Sequence, residues 1–430
     1  MIFDTAVIGA GAAGLFAGAC LAESSAASDK TIILEKGTRP GRKLLMAGSG
    51  QCNLTHSGDM KDFVSHYGPN GKKIRSVLYQ FSNERVISFF EERGCPLTVR
   101  SDGKVFPRSF QGSQVLNLLV QSCLNGGVEL RCQCPVLSLE KLGREQAGSP
   151  ESCFRITCGD GSAVFARRVL AASGGCSYPS TGSDGSLFPL LRDLGLEIVL
   201  PRPALVPLYV ERYPYGELSG ISFSPAAVIL SDGKTGKKMA ENQDDLLFTH
   251  RCLSGPAILN LSRHARPGQR ITVCYLPGLS RGDVERMLRE AALGSERQRQ
   301  LLSMLCGLFP VLPRRFLELL CTRAEAAADR RAAETPGAAF RRLAALLTED
   351  SFTVSGPGGF SEAMVTSGGV ALSAVDLKTM ESRTCPGLYL AGEVLDVDGD
   401  TGGYNLQFAF SSAWLAVRSL AAALPDEAVR

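Results

Sequence analysis

The chain opens on a short uninterrupted apolar run, Thr5 to Ile8, then a glycine-rich turn, then a proline-free stretch from Ala12 to Leu21. A continuous apolar run bounded by glycine predicts a strand covered on both faces, and the stretch after it predicts a helix. A second run, Thr31-Ile32-Ile33-Leu34, predicts another buried strand and ends at a carboxylate, Glu35. A second glycine-rich loop, Gly37 to His56, leads into a helical and polar stretch reaching about Leu119. Short apolar segments at 128–131, 136–139, 154–157 and 164–165, with a polar loop at 143–152, predict a small β-meander. Residues 168–175 then predict a strand that runs into a glycine turn and returns the chain to its first sheet.

The texture changes at about Leu200, where Pro201, Pro203 and Pro207 punctuate the chain and short β-rich runs extend to Cys274-Tyr275. Residues 281–347 carry Ala, Leu, Arg and Glu at helical spacing, interrupted by Pro310, Pro313 and Pro336, and predict a helical subdomain. Beyond Phe352 glycine returns, Gly387 to Glu393 predicts a strand ending at a second carboxylate, and a last helix is expected from Tyr404 to Ala423. No internal repeat is visible.

Composition narrows the classes. With 430 residues, 44% hydrophobic and 21% charged, the chain has room for two or three ordinary globular domains. A net charge of +3, with no basic block interleaved with aromatics, argues against a nucleic-acid partner. The fourteen cysteines are scattered, none in a CxxC pair, which points to free thiols in a reducing cytoplasm and to neither a dithiol reductase nor a zinc site; no metal is expected. The apolar N-terminus carries Asp4 before any basic residue, so it does not read as a signal peptide, and no long uncharged run elsewhere predicts a membrane span.

Gly9-Ala10-Gly11-Ala12-Ala13-Gly14, between strand and helix and twenty-one residues before Glu35, carries the chemistry. Gly9 permits the tight turn, Gly11 lets a pyrophosphate approach the backbone, and Gly14 lets helix and strand pack closely. The helix opening at Ala12 and Ala13 aims its positive end at the phosphates. Glu35 accepts both ribose hydroxyls of an adenosine and repels a 2′-phosphate. One such unit exists, so NAD or FAD fits this end, and the C-terminal strand decides: Gly392-Glu393 offers the acceptor that a ribityl chain requires. Gly403, Tyr404, Asn405 and Leu406 open the last helix, whose N–H groups can stabilise charge at the N1/O2 edge of a flavin.

The chain resembles the BaiN-like (YhiN-type) flavoproteins, NAD(P)/FAD-dependent oxidoreductases also described as aminoacetone-oxidase-family enzymes. The resemblance covers nearly the whole length. It rests on Val7 to Gly14, on Gly41-Arg42-Lys43 with Gly48, Gly50, Cys52, Asn53 and Thr55, on Val105-Phe106-Pro107, on Ser177-Tyr178-Pro179 and Thr181-Gly182-Ser183, on Thr249-His250 with Leu253-Ser254-Gly255-Pro256, and on Gly392 to Gly399 with Gly402 to Asn405. Gln51 stands where the family has arginine and Cys252 where it has glycine.

The resemblance implies a Rossmann-type, glutathione-reductase-like FAD-binding domain formed by residues 1–199 and 352–430. It also implies an inserted β-barrel-like domain at 200–280 with 348–351, itself carrying a helical subdomain at 281–347. FAD would be held non-covalently, with NAD(P)H as a candidate electron donor. Besides Gly9 to Gly14 and Glu35, the expected cofactor contacts are Lys36, Arg42, Lys43, Gly48, Gly50, Cys52 and Asn53. Farther along they include Val136, Ser173, Gly174, Gly175, Gly392, Glu393, and Gly403 to Leu406. His250 is a candidate proton donor, Cys52 a candidate redox thiol and Tyr404 a candidate donor to substrate. The expected reaction is a two-electron transfer between flavin and a small organic substrate, as C=C reduction or amine oxidation. A flavin-dependent tRNA-modifying enzyme and a non-catalytic FAD-binding protein are the alternatives from other classes.

Overall fold

The computed structural model describes residues 2–24, 30–143 and 153–422 and divides into two compact units, 1–204 with 360–430, and 205–359. Each has its own hydrophobic core.

The first unit is built on a nine-stranded sheet. At its centre five strands run parallel, in the order Leu388–Leu390, Ala163–Ala171, Ile2–Ile8, Thr31–Leu34, Glu129–Arg131. Ala6, Val7, Ile32 and Ile33 are wholly buried, as strands covered on both faces must be. The first helix, Ala12–Ser24, lies beneath the last, Tyr404–Ala422, with the Phe16 ring 5.0 Å from Phe410 and 5.4 Å from Phe81. The polar loop expected at 143–152 lies, beyond Gly143, outside the described residues, as does Ala423, the expected last residue of the C-terminal helix.

The meander differs from the expected one in two respects. Glu129–Arg131 leaves it to pair with Thr31–Leu34 at the edge of the parallel sheet, because a short apolar segment carries no record of its partner. The two segments at 164–165 and 168–175 form one strand, Ala163–Ala171. Its first half pairs antiparallel with Cys153–Cys158 and its second half parallel with Leu388–Leu390. The stretch expected to be helical and polar also contains a three-stranded sheet of Thr55–His56, Lys104–Pro107 and Leu97–Val99.

The second unit is a closed barrel of six strands, in the order Leu208–Val210, Leu253–Ser254, Lys238–Phe248, Ser222–Ser231, Arg270–Cys274, Asp350–Pro357. Between the last two strands in sequence come four helices, Arg281–Leu293, Leu301–Leu308, Arg314–Arg323 and Gly337–Thr348. The chain passes from one unit to the other at 204/205 and 359/360. Ile198–Ala204 pairs with Val365–Val370 and so stays with the first unit, whereas Asp350–Pro357 closes the barrel.

The helices are tied to the barrel by a buried polar cluster. Asp350, at 2% exposure, accepts from Arg323 Nη2 at 2.8 Å and Nη1 at 3.0 Å, from Tyr275 at 3.0 Å and from Tyr215. Burial, followed by the neighbouring carboxylate or phenol, raises both tyrosine hydroxyls well above their usual range, so they donate as phenols. Removing the carboxylate strands the Arg323 cation, a loss of about 3–5 kcal/mol. Asp350→Ala is therefore expected to lower the thermal midpoint and shift urea unfolding to lower concentration; an unchanged midpoint would show the cluster to be energetically neutral.

Candidate functional site

The glycine turn is shaped by close backbone approach. Gly9 has φ +103°, and a Cβ there would lie 2.6 Å from the Ala172 carbonyl oxygen. A Cβ on Gly14 would lie 1.9 Å from the Gly9 oxygen, so only glycine lets the helix start so near the turn. Gly11 differs: nothing lies within 4 Å of where its Cβ would be, which is the open approach a pyrophosphate needs. Glu35, 9% exposed at the end of the second strand, accepts from the Ala10 amide at 2.9 Å and the Gly37 amide at 2.7 Å. A carboxylate has about four acceptor sites, so two are left for a pair of ribose hydroxyls. Lys36 turns to Asp184 at 2.5 Å and Ser186 at 3.0 Å. Val136 starts a meander strand paired with Cys158, and Ser173 donates to the Gly174 carbonyl at 3.3 Å.

The second glycine loop is fastened to the first by the Gly41 amide, which donates to the Ala10 carbonyl at 2.8 Å. Arg42, Gly48 and Ser49 are exposed, and Gly50 is half-buried. Cys52 is fully buried with φ +61°. Burial, with Cys95 nearby, pushes its thiol up to about 12, so at neutral pH it is a packed thiol rather than a thiolate nucleophile. The Asn53 side chain accepts from the Val105 amide at 3.2 Å.

Lys43 reaches the C-terminal strand end. Its Nζ pairs with the Glu393 carboxylate and lies 2.6 Å from Ser177 Oγ. Glu393 also accepts from the Ser177 hydroxyl and, at 2.9 Å, from the Thr366 amide. Thr366 Oγ1 in turn accepts from the amides of Cys176 at 2.7 Å and Ser177 at 3.1 Å. Gly175 packs against Thr366, where a Cβ would meet Oγ1 at 2.4 Å, and Gly392 packs against Ala13. Thus Glu393, expected to face a ribityl hydroxyl, is held by three protein donors. Ser177 stands in one of the motifs quoted above; Thr366 has no local sequence signal.

At the start of the last helix, a Cβ on Gly403 would lie 2.5 Å from the Thr55 oxygen. The Asn405 amide closes its own loop, bonding the Gly399 amide at 2.8 Å and carbonyl at 2.9 Å. Leu406 is half-buried. The Tyr404 ring, 5% exposed, is stacked between His66 at 4.1 Å and His56 at 5.5 Å, with Phe63 and Tyr67 edge-on. These two histidines differ. His56 turns Nδ1 to the Ser57 carbonyl at 2.5 Å and Nε2 to the Asp102 carbonyl at 2.9 Å, so both nitrogens are occupied. His66 turns Nδ1 to Asp400 at 3.0 Å, and the Asp400 amide donates back to the His66 carbonyl at 2.8 Å. His250 belongs to the other unit, exposed in the turn between the strands Lys238–Phe248 and Leu253–Ser254.

The free approach at Gly11, the unused acceptors of Glu35 and the helix end at Ala12 fit the adenosine diphosphate half of FAD. No helix of the described residues is long and apolar enough to cross a membrane.

The family model described as HI0933-like protein Rossmann domain matches residues 3–419. Over 429 residues the chain is 31% identical to a ribosomal RNA dihydrouridine synthase of Escherichia coli, covering 98% of each. Over 423 residues it is 31% identical to a 3-dehydro-bile acid delta(4,6)-reductase of Clostridium scindens, covering 96% of this chain and 98% of that protein. Among solved structures it shares its fold with 3-ketosteroid-delta4-(5alpha)-dehydrogenase from Rhodococcus jostii (TM-score 0.52, 14% identity, 97% of this chain and 96% of that one). It shares it also with 3-ketosteroid delta1-dehydrogenase from Sterolibacterium denitrificans (TM-score 0.50, 12% identity, 98% and 100%).

Two glycine substitutions should separate packing from ligand approach. Gly14→Ala is expected to unfold or severely destabilise the protein, whereas Gly11→Ala should keep the thermal midpoint of the flavin-free protein while losing FAD at least tenfold, read by fluorescence titration. Equal loss of midpoint in both would refute this division. Cys52 should resist iodoacetamide at pH 8 in the native protein, and Cys52→Ala should bleach and reoxidise its flavin within about twofold of wild type; a hundredfold loss would make the thiol a participant.

Proposed function

Since the chain belongs to the HI0933-like protein Rossmann-domain family, and is an FAD-dependent oxidoreductase, we propose that it reduces a carbon–carbon double bond made electron-poor by a neighbouring carbonyl. The observation that carries this reading is what the two relatives named above, each 31% identical to this chain, have in common. Forming a dihydrouridine and reducing a Δ4,6 3-oxo steroid differ in substrate, yet each adds a hydride to one carbon of such a bond and a proton to the other. A bound flavin supplies the hydride, recharged by NAD(P)H. No second dinucleotide unit is encoded, so the nicotinamide would have to reach the flavin directly.

The protein's own tasks are to hold the cofactor and supply the proton. Gly11 and Glu35 would hold the adenosine diphosphate portion. Glu393, anchored by Lys43, Ser177 and the Thr366 amide, would present its remaining acceptor site to the ribityl chain. We place the proton on His66. Asp400 holds Nδ1–H and stabilises the imidazolium, leaving Nε2 as the nitrogen that donates; after transfer, Nδ1–H stays on the carboxylate. His56 has no nitrogen to spare, and His250 lacks an orienting carboxylate among the described residues. The buried ring of Tyr404 supports His66 from beneath.

Anaerobic stopped flow tests the reading. NADH or NADPH should bleach the flavin, and an enone acceptor should restore it. General acid catalysis contributes about 10²- to 10⁴-fold, so His66→Gln should slow enone-driven reoxidation by at least 10²-fold while bleaching continues. Asp400→Asn should slow reoxidation less and displace its pH profile. Bleaching by an amine, with none by NADH or NADPH, would replace the reductase with an oxidase. His250→Ala with the only large loss would move the proton to the barrel unit.

A further inference from the structure

Away from the cofactor cradle, Tyr79, Gln80, Arg85, Trp414 and Arg418 line an open groove of about 630 Å³. Trp414 is the only tryptophan of the chain. Arg85 and Arg418 both lie over its ring, with guanidinium carbons 5.2 and 5.5 Å from the centroid, and Arg75 lies over Tyr79 at 5.2 Å. Arg85 donates to the Gln80 carbonyl at 3.0 Å and Arg418 to the Gln80 side chain at 3.1 Å, so the two cations are held side by side by neutral oxygens. Among the described residues none of Arg75, Arg85 and Arg418 has a carboxylate within ion-pair distance. The nearest acid in sequence is Glu84, at the start of the helix Asn83–Glu92.

The groove also has a direction. In the helix Gly71–Gln80, exposed Lys72, Arg75 and Tyr79 follow i, i+3, i+7 spacing and form one stripe ending at the groove. Four residues before that helix Tyr67 donates to the carbonyl of Tyr404, the first residue of the last helix, and at its end the Gln80 side chain accepts from Arg418 of the last helix. Neither helix contains an acidic residue. From Tyr404 to Trp414 is ten residues, about 15 Å of helix. The stripe therefore leads from the His66–Tyr404 end to the groove.

We propose that this stripe and groove bind a single strand of nucleic acid. Planar guanidinium and tyrosine faces suit unstacked bases, and the remaining N–H groups of three arginines suit phosphates, without base-specific readout. The inference rests on the reductase reading above and gives it a substrate class, a uracil ring within a single-stranded RNA.

Because Trp414 is the sole tryptophan, it reports occupancy directly. Titrating the FAD-loaded protein with a twelve-nucleotide oligouridylate at low salt should quench its fluorescence, with affinity falling linearly in log salt. Arg85→Ala/Arg418→Ala, checked as folded by its FAD absorbance, should bind the labelled oligonucleotide at least tenfold more weakly by anisotropy and with a shallower salt slope. Lys378→Ala, an exposed lysine elsewhere on the unit, should bind normally. Absence of quenching, equal weakening by Lys378→Ala, or unchanged binding by the double variant overturns the proposal. Quenching by polyglutamate but not by RNA overturns it in favour of an acidic protein partner. Reoxidation by a small enone is followed in parallel: if it proceeds while RNA does not bind, the groove fails and the reductase stands; if RNA binds but neither enone nor RNA reoxidises the flavin, the reductase fails and the groove stands.

Discussion

The first unit depends on one partly buried carboxylate being satisfied. Glu393 lies in the 3-10 turn Gly392–Val394 just beyond the three-residue strand Leu388–Leu390, and its charge is tolerable there only because Lys43, Ser177 and the Thr366 amide all reach it. These donors come from the second glycine loop, from the loop after the longest strand of the parallel sheet, and from a strand near the C-terminus. Meeting at one anion, they fasten the glycine loop to the turn that follows Leu388–Leu390, where Gly392 lies beside Ala13. The opening of Gly11 is useful only because the segments around it are held in this way.

The histidines show how packing assigns roles that residue type leaves open. His56 and His66 stand ten residues apart and lie on opposite faces of the same tyrosine ring. One is consumed by two carbonyls; the other is oriented by a carboxylate more than three hundred residues away in sequence. That difference, rather than proximity to a motif, makes His66 suited to proton transfer. Burial matters in the same way at Cys52: a thiol next to a glycine-rich loop looks reactive, but its enclosure raises the pKa that a thiolate would need lowered.

Charge shows the gap between whole-chain and local quantities. A net +3 over 430 residues is nearly neutral, yet helix periodicity and helix pairing gather Lys72, Arg75, Arg85 and Arg418 around two aromatics with few acids among them. A sum cannot register such an arrangement, since positive residues spread over three helices contribute to it as they would anywhere else.

The sequence by itself determined the elements whose signals are local. Gly9, Gly11, Gly14 and Glu35 read directly as a dinucleotide turn because each answers a steric or hydrogen-bonding need within one strand–turn–helix unit. The runs at 5–8 and 31–34, and the helical stretch broken at Pro310, Pro313 and Pro336, are legible for the same reason, and the family resemblance supplied the barrel. Only the tertiary structure decided what depends on partners distant in sequence. Examples are the allegiance of Glu129–Arg131 to the parallel sheet, the division of one strand between two neighbours, the enclosure of Tyr404, the role of Thr366 and the pairing of His66 with Asp400. A strand's partner and a side chain's protonation are set by what packs beside them, and neither leaves a mark at its own position in the chain.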